Sequence, residues 1–91
     1  MNVLEKAKNK MAEVMTKYRY KIEDIEREEY EEVNEIAINV LKQLPIYTEI
    51  THNGEYAKFI EVVPSKQVFR IFKRDKVIEL GLEEVLNLAL W

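Results

Sequence analysis

The first half of the chain carries apolar residues at steps of three and four, which is the spacing of one face of an α-helix. Only Glu29 interrupts this stripe, and neither Gly nor Pro falls inside it. Asn2 and Glu5 have the spacing of an N-cap and a capping box. The pattern therefore predicts helix over residues 2–44. The stripe consists of Leu4, Ala7, Met11, Val14, Tyr18, Ile22, Ile25, Val33, Ile36, Val40 and Leu44.

The length of this helix leaves its course open. Straight, it would extend about 63 Å, whereas a compact chain of this size has a radius of gyration of roughly 12 Å. Either it is continuous and projects toward a partner, or it bends back on itself near residues 24–32. Helices this long are uncommon in small domains. The stripe nevertheless keeps an average spacing of about 3.6 through the acidic middle, which slightly favours a continuous helix.

The second half has the short apolar runs and turn residues that are typical of β-strands. Pro45 ends the helix, and Asn53-Gly54 is the strongest short hairpin signal. Ser65-Lys66 and Arg74-Asp75 supply two further turns. The sequence predicts a four-stranded antiparallel meander in sequence order, with strands over 46–52, 55–63, 67–73 and 76–80.

Counting outward from these turns predicts which side chains lie opposite each other. Opposite charges meet in the pair Glu49–Lys58 and in the ladder Glu61–Arg70–Glu79, and pairs of this kind stabilise sheets. A one-residue slip would separate all of them, so their agreement supports the register. The same count predicts the apolar pairs Tyr47–Ile60, Phe59–Phe72, Val63–Val68, Ile71–Ile78 and Phe69–Leu80.

This register divides the sheet into two faces. The helix is expected to cover a core face made of Tyr47, Ile60, Val62, Phe69, Ile71, Ile78 and Leu80. The second face is half apolar and carries Ile46, Ile50, Ala57, Phe59, Phe72 and Val77 beside the charge ladder. After Gly81 the chain is apolar nearly all round, which predicts a short buried helix over residues 82–90. The predicted fold class is α+β, as a single domain over residues 1–91.

Composition and charge narrow the functional classes. The chain is 47% apolar and contains no cysteine, so we expect a folded domain without disulfides or thiolate metal sites. No run approaches the roughly 20 apolar residues of a membrane span, and the N-terminal segment lacks the apolar core of a signal peptide. We expect a soluble cytoplasmic protein without membrane contact. The abundance of Glu, Lys and Ile with little Gly is common in proteins from hot environments.

Candidate chemistry is sparse. His52 is the only histidine, lacks partners at metal-ligand spacing, and is interpreted as a polar residue beside the turn. The acids of residues 23–35 are best explained as a solvated helix face, and mimicry of a phosphate backbone is a minor alternative. Gly54, Gly81 and Ser65, the only glycines and the only serine, all lie in predicted turns. The sequence thus predicts a non-enzymatic protein with no catalytic residue, metal or cofactor.

The apolar surplus predicts an interaction or regulatory protein. The long helix, the second sheet face and the C-terminal helix offer more apolar surface than so small a chain can cover. We expect a homodimer formed through the long helix, whose basic start and acidic middle suit antiparallel pairing. A different protein partner remains an alternative. The predicted interface residues are Leu4, Ala7, Met11, Val14, Tyr18 and Trp91.

The alternative function is a nucleic-acid-binding module that uses the hairpin 66–76. This hairpin is basic, and Phe69 and Phe72 are interleaved with its charges. The net charge of −3 and the acids beside the central arginine argue against it. The residues predicted to contact phosphates are Arg70, Lys73, Arg74 and Lys76.

Overall fold

Two helices pack on one face of a five-stranded antiparallel sheet in the computed structural model, which describes residues 2–18 and 25–91. The strand order is β4-β3-β2-β1-β5, so the meander of the first four strands is confirmed and a fifth strand joins beside β1. The α+β class is confirmed as well. The elements are α1 Val3–Tyr18, α2 Ile25–Leu41, β1 Glu49–His52, β2 Glu55–Val63, β3 Val68–Lys73, β4 Lys76–Gly81 and β5 Leu88–Leu90, with 3-10 helices at Pro64–Lys66 and Leu82–Asn87.

The start of α1 is capped as the sequence predicts. The side-chain oxygen Oδ1 of Asn2 accepts a hydrogen bond of 2.8 Å from the backbone N–H of Glu5. This bond satisfies one of the amide groups that the first turn of a helix leaves unpaired.

The helical half is a hairpin of two helices, so the continuous helix is wrong. Val3 near the start of α1 and Val40 near the end of α2 line the same groove, whereas a continuous helix would hold them about 55 Å apart. Folding back lets the stripes of both helices share one core with the sheet. Residues 25–32 are helical, so the predicted bend does not fall on them, and residues 19–24 lie outside the described residues.

The charged pairs of the predicted register form. Glu49 lies opposite Lys58, and Arg70 lies between Glu61 and Glu79. The first hairpin is fixed by its turn, in which Asn53 and Gly54 have φ angles of 53° and 81°. Two positive φ angles in succession are the requirement of a type I′ turn.

The predicted apolar pairs Val63–Val68, Ile71–Ile78 and Phe69–Leu80 form as well, but a β-bulge in the middle of β2 changes the register before it. The pairing shifts by one residue between Phe59 and Glu61, so Phe59 lies opposite Ile71 and not opposite Phe72. The extra residue reverses the face of every side chain before it. The predicted pair Tyr47–Ile60 does not form, because Tyr47 precedes β1 with a φ of 66° and donates its N–H to the carbonyl of Phe59.

The bulge brings residues predicted for the second face into the core. Ile50, Ala57 and Phe59 are buried there, while Tyr47, predicted for the core face, is exposed. The core of buried apolar side chains comprises Leu4, Ala7, Met11, Val33, Ala37, Val40, Leu41, Ile50, Ala57, Phe59, Phe69, Ile71, Leu82, Val85 and Leu88.

The C-terminal segment contains a 3-10 helix and a strand in place of the predicted helix over 82–90. Three residues per turn place Leu82, Val85 and Leu88 on one side of the segment, and all three are buried. The chain then pairs Leu88–Leu90 with the free edge of β1. No helix in the described part of the chain has the length and apolar character needed to cross a membrane.

Candidate functional site

The helices cover one face of the sheet, and nothing in the described part of the chain covers the other. Side chains alternate between the two faces of a strand, and the register assigns four large apolar residues to this second face, here called the open face. Their exposed fractions are 43% for Tyr56, 38% for Phe72, 60% for Val77 and 70% for Trp91. The open face therefore presents a surface that the chain does not use for its own core.

One row of side chains crosses the open face from edge to edge. Val77 lies opposite Phe72, Phe72 opposite Lys58, and Lys58 opposite Glu49. The row ends at Trp91, whose N–H donates a hydrogen bond of 3.1 Å to the carbonyl of Glu49. It is thus apolar at both ends and carries one positive and one negative side chain in between.

The aromatic end of the row is held in place by its neighbours. The rings of Tyr56 and Trp91 meet edge to face, with centroids 4.8 Å apart and an interplanar angle of 82°. The hydroxyl of Tyr56 donates a hydrogen bond of 2.9 Å to Oε1 of Glu49. This bond raises the pKa of Tyr56, because ionisation of the phenol would remove the donor and bring a second negative charge beside the carboxylate. The rings are therefore oriented before any partner binds.

The charge ladder forms a second row on the open face. Nη1 of Arg70 lies 3.1 Å from Oε1 of Glu61, and its Nε lies 3.2 Å from Oε2 of Glu79. The guanidinium is thus engaged on two sides by carboxylates. Glu61 and Glu79 are both partly exposed, so their negative charges offset that of Arg70 at the surface. The row is therefore a border of mixed charge beside the apolar residues and not a positive patch.

The four residues predicted to contact phosphates do not form one exposed basic surface. Arg70 lies in the ladder, and Arg74 donates a hydrogen bond to Glu55. That bond lowers the pKa of the Glu55 carboxyl. Lys73 is only 8% exposed and lies on the core side, whereas Lys76 is exposed. Three of the four cations are therefore buried or paired.

Lys73 belongs to a buried polar cluster that the sequence analysis missed. Its Nζ lies 3.0 Å from Nδ1 of His52 and 3.3 Å from the carbonyl oxygen of the same residue. Nε2 of His52 lies 3.3 Å from Oε2 of Glu84, which also accepts a hydrogen bond from Asn87. The alternation of Lys73 with Phe69 and Ile71 along β3 was the available signal, because it places all three on the core face.

This cluster is best explained as a structural link. The ammonium of Lys73 can only donate, so Nδ1 of His52 accepts and Nε2 donates to Glu84. His52 flanks the turn as interpreted from the sequence, but its side chain is buried, at 7% exposed. Among the described residues, no buried side-chain nitrogen or oxygen lacks a partner, and no group of three or more His, Cys, Asp or Glu could hold a metal ion. The cluster joins β1, β3 and the second 3-10 helix.

The predicted helix interface is largely used inside the chain. Leu4, Ala7 and Met11 are buried, and Val14 is partly buried against the same core. The side chain of Tyr18 lies outside the described residues. Of the six predicted interface residues, Trp91 lies on the open face. A dimer formed through the helix stripe would require three side chains to leave the core.

The side chains of the open face are suited to non-covalent contacts. Aromatic rings, an apolar edge and mixed charges are the components of protein–protein interfaces. Comparison with protein-family models, with curated proteins and with solved structures finds no match for this chain, so the open face is interpreted from its own geometry.

Proposed function

We propose that the protein is a non-enzymatic interaction module that binds another protein surface through the open face of its sheet. One observation supports this above all: large apolar side chains remain exposed across a face that both helices leave uncovered. Large exposed apolar side chains gathered on one face and bordered by polar residues are typical of interaction sites. Tyr56, Phe72 and Trp91 are aromatic, and aromatic residues are enriched at protein–protein interfaces.

The charges of the open face fit a protein better than a phosphate backbone. Lys58 and Arg70 stand beside Glu49, Glu61 and Glu79, so a bound backbone would meet three carboxylates. The aromatic rings are nevertheless able to stack on bases. Titration with labelled single-stranded RNA and DNA at low and moderate salt compares the two functions. Binding that falls steeply with salt would favour nucleic acid, and no binding at low salt would exclude it.

Site-specific photo-crosslinking tests the open face as a binding surface. A photoreactive phenylalanine analogue is placed at position 72, and at position 3 in a control protein. Val3 lies on α1 and is 43% exposed, against 38% for Phe72, so the two positions are similarly accessible. Each protein is irradiated alone and again in an extract of the cells that produce it.

The proposed function requires an adduct of one defined mass from position 72 and none from position 3. Adding unlabelled wild-type protein in excess should reduce this adduct, because it competes for the same partner surface. If position 72 gives no adduct under either condition, or both positions give the same mixture, the open face is not a binding surface.

A further inference from the structure

We infer that the partner of the open face is a second copy of this chain, bound face to face about a two-fold axis that runs along the strands between β1 and β2. This rests on the proposed function, since it names the partner of that same surface. Homodimers with two-fold symmetry use one self-complementary patch on both subunits. Four members of the row, Phe72–Lys58–Glu49–Trp91, have that property, and Val77 lies outside the contact.

The segment Phe72–Lys58–Glu49–Trp91 matches itself when it is turned end for end. Adjacent strands are about 4.8 Å apart and carry one member of the row each. An axis between β1 and β2 exchanges the strands on its two sides, so Phe72 of β3 lies over the partner's Trp91. The same operation places Lys58 of β2 over the partner's Glu49. Each contact occurs twice in the dimer, and both join complementary side chains.

The charges select this axis over two simpler ones. An axis along the strands but centred on β2 would place Lys58 over the partner's Lys58. An axis that runs across the strands through the row would oppose like residues throughout, including Glu49 with the partner's Glu49. Like charges that face each other at an interface are unfavourable. Only the axis between β1 and β2 pairs opposite charges at both central positions.

The size of the open face sets the expected strength of the dimer. The four strands that overlap in this arrangement, at about six residues each, cover roughly 19 Å by 20 Å, or about 400 Å² in projection on each subunit. Two such faces total about 800 Å², which is the range of weak, transient interfaces. We therefore expect a dimer that forms and dissociates with concentration, and not an obligate one.

Trp91 reports directly on this contact. It is the only tryptophan and is 70% exposed in the single chain. Contact with the partner's Phe72 should move its emission to shorter wavelength as the protein concentration rises, in parallel with a mass increase toward the dimer in sedimentation equilibrium. Phe72→Glu should abolish both changes, because a carboxylate would be desolvated against the partner's Trp91. Circular dichroism checks that this variant is folded.

Charge reversal tests the register of the dimer. In a dimer of the Lys58→Glu variant, the carboxylate at position 58 faces the partner's Glu49. In a dimer of the Glu49→Lys variant, the ammonium at position 49 faces the partner's Lys58. Each variant alone should self-associate at least about tenfold more weakly than the wild type. An equal mixture should recover the wild-type strength, since each subunit then faces the opposite charge. Mixing leaves the interactions within each chain unchanged, so the recovery reports only on contacts between chains.

A second pair of variants controls for net charge. Lys42→Glu and Glu35→Lys make the same charge changes at exposed positions of the helical half. Each should self-associate like the wild type, alone and mixed.

Two outcomes overturn the inference. One is a wild-type chain that stays monomeric with unchanged tryptophan emission at the highest accessible concentration. The other is a wild-type dimer whose two charge variants stay monomeric when mixed. In the crosslinking experiment above, an adduct at twice the mass of the chain from purified protein supports the second copy. An adduct that forms only in extract removes the self-association and leaves the proposed function standing, whereas no adduct removes both.

Discussion

At the residue scale, two lysines on either side of one turn have opposite environments. Nζ of Lys73 is buried 3.0 Å from Nδ1 of His52, while Lys76 is exposed. Lys73→Met should lower the free energy of unfolding by about 1–3 kcal/mol, because it leaves buried acceptors of His52 without a donor. Lys76→Met should change it by less than about 0.5 kcal/mol. Urea unfolding of both variants measures the difference, and equal effects would contradict the buried cluster.

The same cluster predicts a dependence of stability on pH. The hydrogen bond from Asn87, and then that from His52, lower the pKa of Glu84 below its ordinary value of 4.5. A carboxyl with a lowered pKa in the folded state stabilises the fold fully above its unfolded pKa and loses that contribution as pH falls through the folded value. Glu84→Gln should therefore be less stable than the wild type at neutral pH.

The stability difference between these two proteins should narrow as the pH falls below about 4.5. Asn87→Ala should reduce the contribution as well, since it removes the largest cause of the lowered pKa. Chemical unfolding between neutral pH and about pH 2 follows the change. A Glu84→Gln variant that matches the wild type at every pH would show that the carboxylate does not stabilise the fold.

At the element scale, the bulge in β2 separates two phenylalanines that a regular hairpin would pair. Phe59 is buried and Phe72 lies on the open face. Phe59→Ala should cost about 3–5 kcal/mol of unfolding free energy, whereas Phe72→Ala should cost less than about 1 kcal/mol. Urea unfolding at low protein concentration, where no dimer contributes, makes the comparison. A regular hairpin, with both rings on one face, would give similar losses.

The elements that could be predicted are those fixed by local chemistry. Asn53-Gly54 sets a two-residue turn, and the pairing of Glu49 with Lys58 follows from it by counting. The bulge could not be predicted locally, because its extra residue, Ile60, is neither a glycine nor part of any other local signal. The bulge depends on packing, since it places Phe59 on the buried face. The apolar run Leu88–Leu90 is too short for its hydrophobic period to distinguish a strand from a helix. It becomes a strand because β1 offers an unpaired edge.

The candidate site could be predicted only where its residues do not depend on the bulge. The prediction that Phe72 and Val77 lie on the second face is confirmed. Both belong to the hairpin of β3 and β4, which pairs in the predicted register without a bulge. Tyr56 and Lys58 precede the bulge, so their position on the open face depends on a residue that no local pattern marks. The charge of Lys73 predicts a surface position, whereas its alternation along the strand predicts a core position, and the structure buries it.

At the scale of the whole molecule, the described residues build two layers, and their helices cover one face of the sheet. Domains are stable when each apolar face packs against another layer. The helices supply 16 and 17 residues, and both lie on the same side of the sheet. The apolar surplus of the chain is therefore found on the sheet, at Phe72 and Trp91, and not on the helix stripe, where Met11 is fully buried. In the proposed dimer, the open face of the second copy supplies the other layer.

The helical hairpin itself can be tested by one distance. Lys6 and Gln43 line the same groove, whereas a continuous helix would hold them about 55 Å apart. Spin labels at these two positions should give a distance below about 25 Å by pulsed electron resonance. Labels at Lys6 and Thr16, both within α1, should lie about 15 Å apart in either arrangement and serve as the control. Dilution with unlabelled protein removes distances between subunits, so a value near 55 Å would restore the continuous helix and return the stripe of Leu4 and Met11 to the surface as the interface.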